Sequence, residues 1–215
     1  MIEPWLGNNW GTPNNIFNGV KLWVLGESGH SDEDQIGDQP SNYLKETVEI
    51  FLTKRPAYRF HTILTTLLAG EEAAWKVSDE RRRAVWESIG FCNYVPVIAA
   101  QYSREKPTPE MFKNGTNSFA AILQKYEPQA ILVCGFNTWG WMWWGRGGQE
   151  RPWETPSPCW IGPAIAGRIK HPSTGFVYAK WRPVLDQLLL DARRGRTVEF
   201  PVKQDDVNDE SSDQQ

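Results

Sequence analysis

Five apolar residues follow one another without interruption, Ala130-Ile131-Leu132-Val133-Cys134, between Pro128 and Gly135. A strand with one face in water alternates apolar and polar residues. An unbroken apolar run closed by chain-breakers instead marks a strand covered on both faces, as in the parallel sheets of α/β proteins. Leu22-Trp23-Val24-Leu25, between Lys21 and Gly26, has the same character. Two such runs separated by about a hundred residues require helices between them, because parallel strands are joined by crossovers rather than tight turns.

The intervening sequence supplies those helices. Ser41 offers an N-cap for a helix with Leu44, Thr47, Val48, Phe51 and Leu52 at helical spacing, ended by Pro56. A second helix includes Ile63, Leu64, Leu67 and Leu68 and stops at Gly70. Ser78 and Asp79 cap a third, through Ala84, Val85 and Ile89 to Gly90. Phe91-Cys92-Asn93-Tyr94-Val95 reads as a strand closed by Pro96. Thr116 opens a helix through Phe119, Ile122, Leu123 and Tyr126, a fourth strand is expected near Arg168-Ile169-Lys170, and Val184, Leu185, Leu188, Leu189 and Ala192 mark a last helix. This order predicts a three-layer α/β/α sandwich around a central, four-stranded, mainly parallel sheet. Residues 1–200 are expected to form one domain, and the acidic, Ser/Gln-rich stretch 201–215 a disordered tail.

The formal charge of −3 argues at first against a nucleic-acid partner. Its distribution reverses that reading. Five acids and one lysine from Pro201 to Gln215 give a local net of −4, which leaves +1 on residues 1–200. Gly167 to Arg196 holds seven Lys or Arg against two Asp, a basic stretch containing Lys170 and Lys180. Three dispersed cysteines without a C-x-x-C pair suggest neither a disulfide framework nor structural zinc, and no metal or cofactor is expected. Without a long apolar run or a basic-then-apolar leader, the expectation is a soluble, cytoplasmic monomer.

In sheets of this kind ligands bind at the carboxyl ends of the strands. Three of the expected strand ends carry polar groups: Gly26-Glu27-Ser28-Gly29-His30, Asn93, and His171-Pro172-Ser173. A strand ending in Gly-Glu-Ser-x-His, then Phe-x-Asn-Tyr-Val-Pro in mid-chain, then His-Pro-Ser before a C-terminal helix, resembles the motif order of the uracil-DNA glycosylase superfamily. The resemblance spans roughly residues 20–195 and finds no counterpart for the segment from Gly135 to Ile165.

The resemblance implies a monofunctional DNA glycosylase, which flips a pyrimidine-type base from DNA and hydrolyses its N-glycosidic bond to leave an abasic site. Glu27 would position or activate the water, with Asp32 in reserve, and Ser28 and His30 would flank the base. Asn93 would read the Watson–Crick edge, as an amide with donors and an acceptor can. His171 would bond the pyrimidine O2 as charge builds on the leaving base. Pro172 and Ser173 would pinch the DNA backbone, with Lys170 and Lys180 nearby, and Phe176 would be a wedge into the duplex. A carboxylate and an imidazole also suit this chemistry directly, since the transition state is cationic at the sugar and anionic at the base.

Where strict uracil enzymes have Gly-Gln-Asp-Pro-Tyr-His, this chain has Gly-Glu-Ser-Gly-His-Ser. The Tyr that guards C5 is absent. The substrate that the resemblance implies is accordingly uracil or a C5-modified cytosine, hydroxymethylated or glucosylated, as in superfamily members that act in antiviral defence against phages. The alternatives are a catalytically silent nucleic-acid-binding module and a small-molecule nucleoside or sugar hydrolase. Two features stay open between function and packing: His61 in its apolar helix, and the tryptophans Trp139, Trp141, Trp143, Trp144, Trp153 and Trp160, half of the chain's twelve, which read as an aromatic loop that either roofs the site or packs.

Overall fold

A computed structural model describes residues 2–54, 58–102, 105–144, 157–173 and 175–195, with only the backbone of Trp144. The acidic stretch 201–215, Pro56 and Trp153 lie outside the described residues.

The protein is a mixed α/β chain built on a six-stranded, mostly parallel sheet. Its elements in chain order are β1 (Trp5–Leu6), β2 (Leu22–Gly26), β3 (Gly29–His30), α1 (Tyr43–Lys54), α2 (Arg59–Ala69), α3 (Asp79–Glu87), β4 (Ile89–Asn93), β5 (Ile98–Ala100), α4 (Pro109–Tyr126), β6 (Ala130–Cys134), α5 (Phe136–Trp144), β7 (Cys159–Ile161), β8 (Ala164–Ile169) and α6 (Tyr178–Arg194). The sheet order is β1-β4-β2-β6-β8-β7, and β3 and β5 form a separate two-stranded ribbon. The pairs β4·β2, β2·β6 and β6·β8 are parallel, whereas β1 and β7 join the edges antiparallel.

The two unbroken apolar runs became β2 and β6, side by side and buried at every residue. Alternate side chains of the sheet meet different helices. Phe91 of β4 lies 5.9 Å from Phe60 of α2 and 5.5 Å from Trp86 of α3 by ring centroids. Trp23 of β2 points the other way, with its ring 5.0 Å from Tyr126 of α4 and its indole N–H donated to Cys92 Sγ at 3.2 Å. Buried indoles such as Trp23, Trp86 and Trp139 dominate this core, and truncating one to Ala costs about 3–5 kcal/mol.

Two of the expected caps act as their chemistry predicts, whereas Ser41 lies two residues before the first residue of α1, Tyr43. Ser78 accepts a bond from Arg81 N at the start of α3, and Gly70 ends α2 in the left-handed region (φ 83°) with its N–H bonded to Leu67 O.

Four features depart from the sequence expectations, each for a local reason. The sheet has six strands rather than four because β1 and β7, of two and three residues, are too short to show periodicity. Ile89 and Gly90 open β4 instead of ending α3, since Ser88 already closes that helix with its backbone N–H on Val85 O. Helix α4 begins at Pro109, well before Thr116, because Thr108 caps it and Pro suits the first helical position. The segment after Gly135 is helix α5 at its start rather than irregular loop.

Candidate active site

The parallel register fixes which chain ends share an edge. Gly26 pairs with Asn93, Leu25 with Val133, and Cys134 with Ile169. Extended by one residue, Asn93, Gly26, Cys134 and Ile169 form one row across four strands at their carboxyl ends. Glu27, Gly135 and Lys170 come next along the chain, then His171. Neighbouring strands are about 4.8 Å apart, so β2 and β8, flanking β6, hold their loops about 10 Å apart.

Beyond the sheet the first two loops keep pairing. Tyr94 N donates to Gly26 O at 2.9 Å and Val95 N to Glu27 O at 3.0 Å, which ties Glu27 to the end of the Asn93 motif. The Asn93 side-chain oxygen occupies the place that a β-carbon on Gly26 would take, and the Phe91 ring lies beside that place. Only glycine at 26 therefore leaves the Asn93 amide where it is. Asn93 is half-buried, and its side chain makes no hydrogen bond among the described residues.

Glu27 is half-buried, and Asn137 of α5 donates from Nδ2 to its Oε2 at 3.3 Å. The half-buried His171 ring lies 5.4 Å from Phe60 and beside Gly135. Burial pushes the His171 pKa down, and the Glu27 carboxylate opposes that push. The result is a neutral imidazole near pH 7 within electrostatic reach of a carboxylate. No hydrogen bond to the imidazole occurs among the described residues. An amide, an imidazole and a carboxylate thus meet at one sheet edge with two of the three unspent, which is costly for half-buried polar groups unless a ligand or water satisfies them.

The other sequence candidates fall around this centre. Ser28 is half-buried beside Glu27, while the side chains of His30 and Asp32 are exposed. The backbone of His30 is clamped by Tyr43 of α1, whose hydroxyl accepts from His30 N at 3.1 Å and donates to His30 O at 2.8 Å. Pro172 is buried, and Ser173 donates to His171 O at 3.3 Å. Lys170 Nζ reaches Gly175 O at 3.0 Å, which closes the 170–175 loop. Lys180 is exposed and lies over the Trp181 ring at 5.2 Å. Phe176 is half-buried against Tyr178, 5.4 Å away, and the adjacent Val177, 54 % exposed, is the protruding apolar side chain of this corner.

His61 sits in a cage of rings, 5.3 Å from both Phe51 and Trp86 and 5.4 Å from Phe60. Burial, with His30 acting in the same direction, pushes its pKa down to about 3. Its Nε2 is buried without a hydrogen-bond partner among the described residues. Three of the tryptophans from the aromatic segment are spent on packing: Trp139 is fully buried, Trp143 meets it edge-on at 5.7 Å, and Trp141 stacks on Phe112 at 5.3 Å.

A cleft of about 530 Å³ lies beside the centre and is lined by Ser173 and Phe176 but by neither Glu27 nor Asn93. Sequence reasoning had not singled out Asn137, Tyr43, Phe60 or Arg59, since none belongs to a local pattern. Among the described residues no group of three or more His, Cys, Asp or Glu is arranged to hold a metal ion, and no helix is long and apolar enough to cross a membrane. No protein-family model matches the chain, and no curated protein matches it.

Proposed function

We propose that this chain is a monofunctional DNA glycosylase with the three-layer α/β/α architecture of the uracil-DNA glycosylase superfamily. The observation that carries the reading is the meeting of Glu27, Asn93 and His171 at the carboxyl edge of one parallel sheet, with no hydrogen bond on the Asn93 amide or the His171 imidazole among the described residues.

The chemistry follows from the groups. A flipped pyrimidine presents its Watson–Crick edge to the Asn93 amide, which offers both donors and an acceptor. As the N-glycosidic bond lengthens, the electron pair moves into the base and the sugar becomes oxocarbenium-like. A neutral His171 donates an N–H to the pyrimidine O2 as it becomes anionic, a preorganised contact that strengthens in the transition state. The Glu27 carboxylate, steadied by Asn137, stabilises the cationic sugar and orients a water, whose oxygen bonds to C1′ while its proton passes by way of Glu27 to the departing base anion, which yields an abasic site and the free base. No lysine lies in the three motifs to form a Schiff base, which favours hydrolysis without strand cleavage.

His30 stands where strict uracil enzymes carry the Tyr that guards C5, and its side chain is exposed rather than packed over the site. This supports a pocket open to C5 substituents, hence hydroxymethylated or glucosylated cytosine beside uracil. The test is conversion of modified DNA to alkali-labile sites. Label-free binding without abasic sites would instead support a silent nucleic-acid-binding module.

A further inference from the structure

The 530 Å³ cleft beside the centre falls within the range of about 300–1,000 Å³ usual for small-ligand sites. One wall is the start of α2, with Arg59 and Thr62, and the other is the corner that carries Ser173, Phe176 and Tyr178.

Its lining is selective. Among the described residues Arg59 has no hydrogen-bond or ion-pair partner, and none of those that line the cleft is a carboxylate. Phe176 and Tyr178 stand at 66° to each other with ring centroids 5.4 Å apart and supply an aromatic wall, and Thr62 and Ser173 add hydroxyls. A cation, hydroxyls and aromatic rings without an acid complement a phosphate joined to a planar base. An acidic peptide would leave the rings unused, and an apolar ligand would bury the guanidinium unpaired.

The cleft also lies beside the candidate site. Phe60, next to Arg59, packs on the His171 ring at 5.4 Å, and Ser173 bonds the His171 carbonyl. A strand whose base enters at His171 therefore carries its next nucleotide to this opening.

We propose that the cleft seats the nucleotide adjacent to the excised one in unpaired form, with its phosphate on Arg59 and its base against Phe176 and Tyr178, so that the protein selects single-stranded or locally melted DNA. The inference rests on the DNA reading above and extends it to strand preference. The faces of a paired neighbour are covered by the adjacent base pairs of the duplex, whereas an unpaired base is free to stack on a protein ring, and such stacking is tolerant of sequence.

The test uses the whole chain and an unmodified oligodeoxythymidylate, which holds no excisable base, against the matching duplex, with binding followed by fluorescence anisotropy across a salt series. The single strand is expected to bind more tightly. Arg59→Ala should weaken it about tenfold and lower the slope of log K against log salt by about 0.7, one phosphate contact, whereas Arg59→Lys keeps the slope. Phe176→Leu should weaken the single strand about tenfold and leave the duplex unchanged. Unchanged affinity and slope in Arg59→Ala would overturn the proposal, as would thymidine monophosphate binding as tightly as the oligonucleotide. Base release is not read in this assay, so a failure of the glycosylase reading is recognised separately, by wild type that binds the strand as expected yet frees no base.

Discussion

The side-chain oxygen of Asn93 fills the space in which a side chain on Gly26 would begin, so the Asn93 amide and the end of the first central strand are fitted to each other. Gly26→Ala should displace the amide and lower kcat/KM for base release about a hundredfold, the scale of an ångström-sized misplacement in a catalytic site. In an Asn93→Ala background the same change should cost nothing further, because the clash is gone. Additive losses in the double variant would show that Gly26 acts independently of Asn93.

His171→Ala should slow base release by a hundredfold or more while DNA affinity changes little, as expected for a donor whose contact strengthens in the transition state. Stopped assays under single-turnover conditions separate the two. Equal losses in binding and turnover would make His171 a docking residue.

Asn137 donates a 3.3 Å hydrogen bond to Glu27, and under the proposed function it positions that carboxylate. Asn137→Ala should reduce kcat about tenfold with KM nearly unchanged, a loss of the size of one ordinary hydrogen bond. Asn137→Asp places a second carboxylate beside Glu27, disfavours its charged form and should move the acid limb of the pH profile upward. A profile that stays in place would mean that Asn137 does not position the carboxylate.

The buried His61 predicts an acid-sensitive fold. Its folded pKa of about 3 lies below the unfolded value near 6.5, so the unfolded chain binds the proton more readily. Stability is therefore complete above about pH 6.5 and is lost as the pH falls from there toward 3. His61→Phe removes the titrating group and the unpartnered Nε2 while keeping an aromatic ring in the cage. Thermal melts should show the variant at least as stable at pH 7 and less sensitive to acid. A variant as acid-sensitive as wild type would place the sensitivity elsewhere.

The centre of the fold was legible because it rests on burial. Short continuous apolar runs at 22–25 and 130–134, closed by glycine, suit strands covered on both faces, and they became the adjacent β2 and β6. The edges were not legible, since Trp5–Leu6 and Cys159–Ile161 are strands only because β4 and β8 present free ladders to them. Helix α5 was hidden by its composition: Gly140 and a run of tryptophans read as irregular until Trp139, Trp141 and Trp143 find packing partners. In the candidate site, Glu27, Asn93 and His171 stood out as polar residues at strand ends. Asn137, Tyr43 and Arg59 did not, because their roles arise from contacts between elements distant in sequence.

The central claim is base excision by Glu27 and His171. DNA containing uracil, 5-hydroxymethylcytosine or glucosylated hydroxymethylcytosine, incubated with the protein and analysed by mass spectrometry of the released small molecules, tests it most directly. The account predicts a free base from at least one of these DNAs, an abasic site in the strand, and loss of both with Glu27→Gln and with His171→Ala. It is contradicted if no DNA yields a free base, or if the Glu27→Gln, His171→Ala double variant releases it at the wild-type rate.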